Sequence, residues 1–158
     1  MEKHIEIAGF IPCSAADGPG VRSVLFLQGC RRNCPGCHNQ ALWQHGGGSL
    51  RPVSQVVEEL LLSCRNRRLT ISGGEPLEQP EALECLTARL AENSFELCLY
   101  TSFDAEDVPP GVLGQLRYLK TGPFAQEHTD PPKPFVGSNN QRFYRVRKEG
   151  ENICLSEI

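Results

Sequence analysis

A chain of 158 residues is sized for one domain, large enough for a true core and small for an enzyme. Its 39% hydrophobic and 22% charged residues are those of an ordinary globular protein and exclude a disordered or fibrous chain. The net charge of −3 gives no general attraction to nucleic acid, and no apolar run approaches the ~20 residues that cross a bilayer, so neither nucleic acid nor membrane is expected as a partner.

The N-terminus, Met1-Glu2-Lys3-His4-Ile5-Glu6, lacks the apolar stretch of a signal peptide, which predicts a cytoplasmic location. Ile5 to Ile11 alternates and reads as a first strand ending at Pro12. The turn at Gly18-Pro19-Gly20 separates it from a second strand, Arg22 to Leu27, and predicts an antiparallel start.

That second strand delivers Cys30-Arg31-Arg32-Asn33-Cys34-Pro35-Gly36-Cys37, three thiols within eight residues. Thiolates are soft ligands for iron-sulfur clusters and zinc, and Pro35-Gly36 lets the chain turn between the last two sulfurs. Structural zinc sites and electron-transfer clusters take four protein ligands, so three leave a coordination position open for chemistry. Two other readings stay open on spacing alone. Cys34 to His38 matches the Cys-x-x-Cys-His pattern of haem attachment, although nothing here resembles an export signal; and His38 could complete a Cys3His zinc site, although it directly follows Cys37. Cys13, Cys64, Cys85, Cys98 and Cys154 are scattered singly and read as reduced thiols.

Gly46-Gly47-Gly48 reads as a linker. Val53, Val56, Val57, Leu60 and Leu61 recur at helical spacing and predict a helix over 53–64, followed by a buried strand at Leu69-Thr70-Ile71-Ser72. Pro80 opens a second helix stopped at Asn93, and Phe95 to Thr101 is a further strand. Val108 to Leu113 is a weaker helical segment, Leu116 to Lys120 another strand, residues 125–134 a Pro-rich loop, and Arg142 to Arg147 a strand that Gly150 turns into a last one at Ile153 to Leu155.

Strand-helix alternation implies parallel strands with helical crossovers, and ligands gather at the carboxyl ends of such strands. The cysteine loop, Gly73 to Pro76, Thr101 and the Lys120 to Phe124 turn all follow predicted strands, so they converge on one rim. The chain is too short for a closed barrel of ~250 residues. The predicted fold is α/β, a partial, open (β/α) barrel forming one domain over 1–158.

The Cys-x-x-x-Cys-x-x-Cys spacing resembles that of the radical S-adenosylmethionine enzymes, and Ser72-Gly73-Gly74-Glu75-Pro76 resembles their glycine-rich contact for the methionine end of the cofactor. Asp17-Gly18-Pro19-Gly20-Val21-Arg22 and Cys37-His38-Asn39 with Trp43 are similar to the segments flanking the cluster loop in activating enzymes of glycyl-radical proteins. Tyr100-Thr101, Lys120-Thr121-Gly122-Pro123-Phe124 and Ser138-Asn139-Asn140-Gln141-Arg142 resemble the small activases of anaerobic ribonucleotide reductase. Many members carry an acidic residue near the Gly-Pro-Phe turn, where this chain has Lys120 and Thr121.

The resemblance implies one 4Fe-4S cluster on Cys30, Cys34 and Cys37, whose fourth iron binds S-adenosylmethionine, and reductive cleavage of that cofactor to a 5′-deoxyadenosyl radical. It places the cofactor against Gly36 and His38 at its adenine end and against Gly73, Gly74, Glu75, Thr101 and Lys120 elsewhere, with Glu75 accepting from its ammonium group. It implies as partners a glycyl radical protein, the large anaerobic ribonucleotide reductase subunit, and a small electron-donor protein. Arg142 and the Pro-rich loop are candidates for docking, and Asn140 and Gln141 for capping a turn. The alternatives are an activase of another glycyl radical enzyme, of the formate-lyase type, and a non-catalytic iron-sulfur or zinc carrier.

Overall fold

The computed structural model describes residues 1–158. The elements in chain order are β1 (His4–Ser14), β2 (Arg22–Leu27), β3 (Ser49–Pro52), α1 (Val53–Ser63), β4 (Arg68–Gly73), α2 (Pro80–Glu92), β5 (Glu96–Tyr100), the single turn of helix α3 (Pro110–Leu113), β6 (Tyr118–Thr121), β7 (Arg142–Glu149) and β8 (Asn152–Glu157). The strands make one sheet in the order β3-β1-β2-β4-β5-β6-β7-β8. The pairs β2–β4, β4–β5 and β5–β6 are parallel, and the pairs flanking them on either side are antiparallel. The sheet is open, with β3 and β8 as its edges. No helix is long and apolar enough to cross a membrane.

Register explains how the two faces differ. Leu25, Ile71, Leu99 and Leu119 stand side by side across the four parallel strands and are buried. They pack in one cluster with Val56 and Leu60 of α1, Leu83, Leu86 and Leu90 of α2, and Val112 of α3. Each fully buried Leu or Ile contributes roughly 1.5–3 kcal/mol relative to exposure, so this row fixes the register of the whole sheet. One residue along, the row Val24, Thr70, Cys98 and Tyr118 points to the other face, which is largely polar.

Arg22, 1% exposed, anchors the amino ends of the strands beneath that face. Its Nε donates to Thr70 Oγ1, Nη1 to the Pro19 carbonyl and Glu96 Oε1, and Nη2 to the carbonyls of Leu69 and Glu96. All five guanidinium donors are thereby used, and the Asp17 to Gly20 loop is pinned under the sheet.

One expectation changes. The glycines at 46–48 are not a loose linker, because Gly46 and Gly48 donate their N–H groups to the Glu6 carboxylate. A Cβ on Gly48 would lie 2.5 Å from the Ile7 carbonyl oxygen. The short β3 that follows, Ser49–Pro52, has no apolar periodicity and is held by pairing to β1 and by the Arg51–Glu59 ion pair to α1. Arg67, in the turn after α1, caps that helix: its guanidinium donates to the carbonyls of Leu61 and Cys64 at the helix's negative end.

Candidate cofactor site

The carboxyl ends of the four parallel strands surround an open cleft with a cavity of about 150 Å³. Cys30, Cys34, Cys37, His38, Gly73, Gly74, Glu75, Thr101 and Lys120 all line it. Gly36 alone of the expected residues does not; it sits at the loop tip with a φ of +75°, the conformation its turn requires, against the Gln126 side chain.

The cysteine loop is fastened to the sheet at several points. Gly29 and Cys30 donate their N–H groups to the carbonyls of Leu42 and Trp43, and Cys37 N–H donates to the Cys34 carbonyl in the turn between the last two thiols. Asn39 Nδ2 reaches the Gly73 carbonyl at 3.0 Å, while its N–H donates to Cys37 Sγ. One asparagine thus joins the thiol loop to the glycine turn.

The glycine turn itself needs glycine. A Cβ on Gly73 would lie 2.2 Å from the Leu27 carbonyl oxygen, and one on Gly74 would lie 2.3 Å from that of Gly29. Gly74 and Glu75 donate their N–H groups to those same two carbonyls, so β4's exit lies flush against β2's. Contact this close admits no side chain.

Glu75 is 1% exposed, and both its oxygens are engaged. Oε2 accepts from Leu77 N and Thr101 Oγ1 at 2.8 Å, and Oε1 from Ser102 N and Oγ at 2.7 Å. Four donors fill the roughly four lone-pair sites of a carboxylate. The carboxylate therefore ties β4's exit to β5's, and no lone pair is left over for a ligand ammonium.

Across the cleft the polar groups are unsatisfied. Lys120 Nζ sits 3.9 Å from the centre of the Tyr100 ring and forms no ion pair. Burial pushes its ammonium down to about 8. The buried Tyr100 hydroxyl has no hydrogen-bond partner, and burial raises its pKa well above the ordinary phenol range. Desolvation likewise raises the Cys30 thiol, against hydrogen bonds from the Arg32 and Asn33 backbone and with help from the nearby Glu78 and Glu75 carboxylates.

Three thiols on one loop facing one cleft form a soft donor set. No three His, Cys, Asp or Glu side chains converge closely enough to hold a single ion, and a tetrahedral zinc would need its sulfurs ~2.3 Å from one point. The donor set fits an iron-sulfur cluster, which meets each sulfur at a separate iron. His38 packs its ring on Phe124, with centroids 5.4 Å apart.

Several site residues carry no sequence signal of their own. Ser102, Arg32 and Gly137 line the cleft without belonging to a periodic pattern or a recognisable spacing. Gln141 holds the turn before it, its Oε1 accepting from Gly137 N and Ser138 N, and its Nε2 donates to the Gly122 carbonyl, closing the cleft's far wall. Asn140 Nδ2 donates to the Pro123 carbonyl beside it.

An open α/β sheet with a three-thiol loop and a glycine turn on its carboxyl rim defines a small iron-sulfur domain. Residues 16–144 match the family described as "4Fe-4S single cluster domain", and the chain belongs to that family. It is 27% identical to the anaerobic ribonucleoside-triphosphate reductase-activating protein of Escherichia coli K12 over 151 residues, covering 87% of this chain and 97% of that one. The protein of the same name from Vibrio cholerae is 28% identical over 149 residues, 86% and 95% of the two chains. The pyruvate formate-lyase-activating enzyme of Staphylococcus aureus is 42% identical over 92 residues, 54% of this chain and 37% of its own. The resemblance to glycyl-radical activases, drawn from the motifs, is borne out over most of the chain.

Proposed function

We propose that the chain is a radical S-adenosylmethionine activase that generates a glycyl radical on the large subunit of an anaerobic ribonucleotide reductase. The open sheet is read here as a partial (β/α) barrel. The observation that carries the proposal is the pairing, in one cleft, of a three-thiol loop with an unpartnered ammonium and phenol. Lys120 and Tyr100 suit the carboxylate of an amino acid, and the thiols suit the cluster beside which that amino acid would react.

In this reading Cys30, Cys34 and Cys37 hold a 4Fe-4S cluster. When bound, it supplies one electron that cleaves the sulfonium of S-adenosylmethionine, giving methionine and a 5′-deoxyadenosyl radical that takes a hydrogen atom from the partner's glycine. The chain's own groups bind and orient. Lys120 pairs with the ligand carboxylate, with Tyr100 as a donor beside it. Gly73 and Gly74 bring backbone against the methionine end, and Glu75 and Thr101 act through that turn by holding it. Gly36 and His38 border the adenine end. The small, open cleft leaves the partner to complete the site, with exposed Arg142 and the loop over 125–134 as docking surface. A small protein in the cytoplasm delivers the electron.

The near full-length match to the reductase activating proteins favours a reductase over a formate-lyase partner, since the latter match spans about half the chain. The test is to mix reconstituted, reduced protein and S-adenosylmethionine with each candidate partner and look for the glycyl radical by electron paramagnetic resonance. A doublet on the reductase is expected. A doublet on the formate lyase alone overturns the assignment.

A further inference from the structure

Glu78 is not among the residues expected at the site, and the three-thiol loop depends on it. It closes the 3-10 turn Pro76–Glu78 that follows the glycine turn, and its side chain is only 12% exposed. Its Oε2 accepts the Arg31 N–H at 2.8 Å, the N–H of the peptide that links Cys30 to Arg31. Its Oε1 receives His45 Nε2 at 2.6 Å. The His45 ring in turn lies flat against Gly29, where a Cβ would come within 2.4 Å of ring atoms. Cys30 is therefore gripped by the Trp43 carbonyl through its own N–H and by Glu78 through the next one.

A neutral amide could make the same grip. A carboxylate adds a fixed negative charge one peptide away from Cys30. Arg31 forms no ion pair and Arg32 lies over the Phe103 ring at 4.0 Å, so the one basic group on the carboxylate is His45, at 2.6 Å, which balances its charge only when protonated. An extra electron on a cluster beside a fixed negative charge is disfavoured, so the reduction potential falls and the reduced cluster becomes the stronger reductant.

Resting on the activase reading above, we propose that Glu78, steadied by His45, is a positioning residue that fixes the Cys30 end of the cluster loop and holds the cluster's reduction potential low. The test compares wild type, Glu78→Gln, Glu78→Ala and the exposed neighbouring charge control Glu81→Gln after anaerobic reconstitution. Iron and sulfide content, the midpoint of a redox titration followed by electron paramagnetic resonance, and thermal unfolding of the metal-free proteins are measured. Glu78→Gln keeps the shape and an acceptor for Arg31, so it should retain full iron with a midpoint raised above wild type. Glu78→Ala should also raise the midpoint and weaken iron retention by about 10- to 100-fold, the usual cost of an outer-shell partner. Glu81→Gln should match wild type, and the metal-free variants should unfold near the wild-type temperature. An unchanged midpoint in both Glu78 variants overturns the proposal, as does a loss of iron that only follows a general loss of folding. Wild type that takes up one zinc and no iron instead overturns the activase reading itself, before any variant is compared.

Discussion

Lys120 is the residue whose energetics tie stability to binding. Burial lowers its ammonium from 10.5 to about 8, so between those values the unfolded chain holds a proton that the folded one has lost. Stability should therefore rise with pH across that window, and the full cost of burying the charge applies below pH 8. That cost is of order 3 kcal/mol, which Lys120→Met should recover at neutral pH and lose above about pH 10.5, in paired denaturant titrations. The same variant should bind S-adenosylmethionine at least 10-fold more weakly, and wild-type affinity should fall as pH rises past 8, since only the ammonium attracts a carboxylate. Glu75 shows the opposite design, a charge fully satisfied inside the chain. Glu75→Gln turns an amide NH2 toward two of four donors and should cost about 2–3 kcal/mol, or roughly 4–12 °C in a thermal melt.

At the scale of elements, the junction of β2 and β4 matters most. Gly74→Ala forces a Cβ against the Gly29 carbonyl and must separate the two strand exits, so a loss of at least about 3 kcal/mol is expected together with loss of cofactor binding. Gly9→Ala in β1 meets nothing within 4 Å and should stay within about 0.5 kcal/mol of wild type. The sequence made β2, β4, β5 and both long helices legible, because each combines an apolar period with a Gly, Pro or Asn stop. It hid β3, whose four residues carry no alternation and depend on a distant partner, Glu6, to order the glycines before it. The roles of Glu75 and Gln141 were hidden for a similar reason: motif spacing places a residue on the rim, but which groups its side chain meets there depends on strands brought together by folding.

For the whole molecule, core and site are separate constructions. The cluster of buried apolar residues lies between the sheet and the helices, and none of Cys30, Cys34 and Cys37 belongs to it. Metal removal by chelation should therefore leave the far-ultraviolet circular dichroism and the cooperative melt largely intact, unlike small zinc domains that unfold without their ion. Cys34→Ala should likewise fold, which makes it a clean probe of chemistry. The most direct measurement is 5′-deoxyadenosine production from S-adenosylmethionine by reconstituted, dithionite-reduced wild type and Cys34→Ala. The account predicts the nucleoside from wild type and none from the folded variant. Equal yields from both, or none from a wild type carrying its full complement of iron and sulfide, would contradict it.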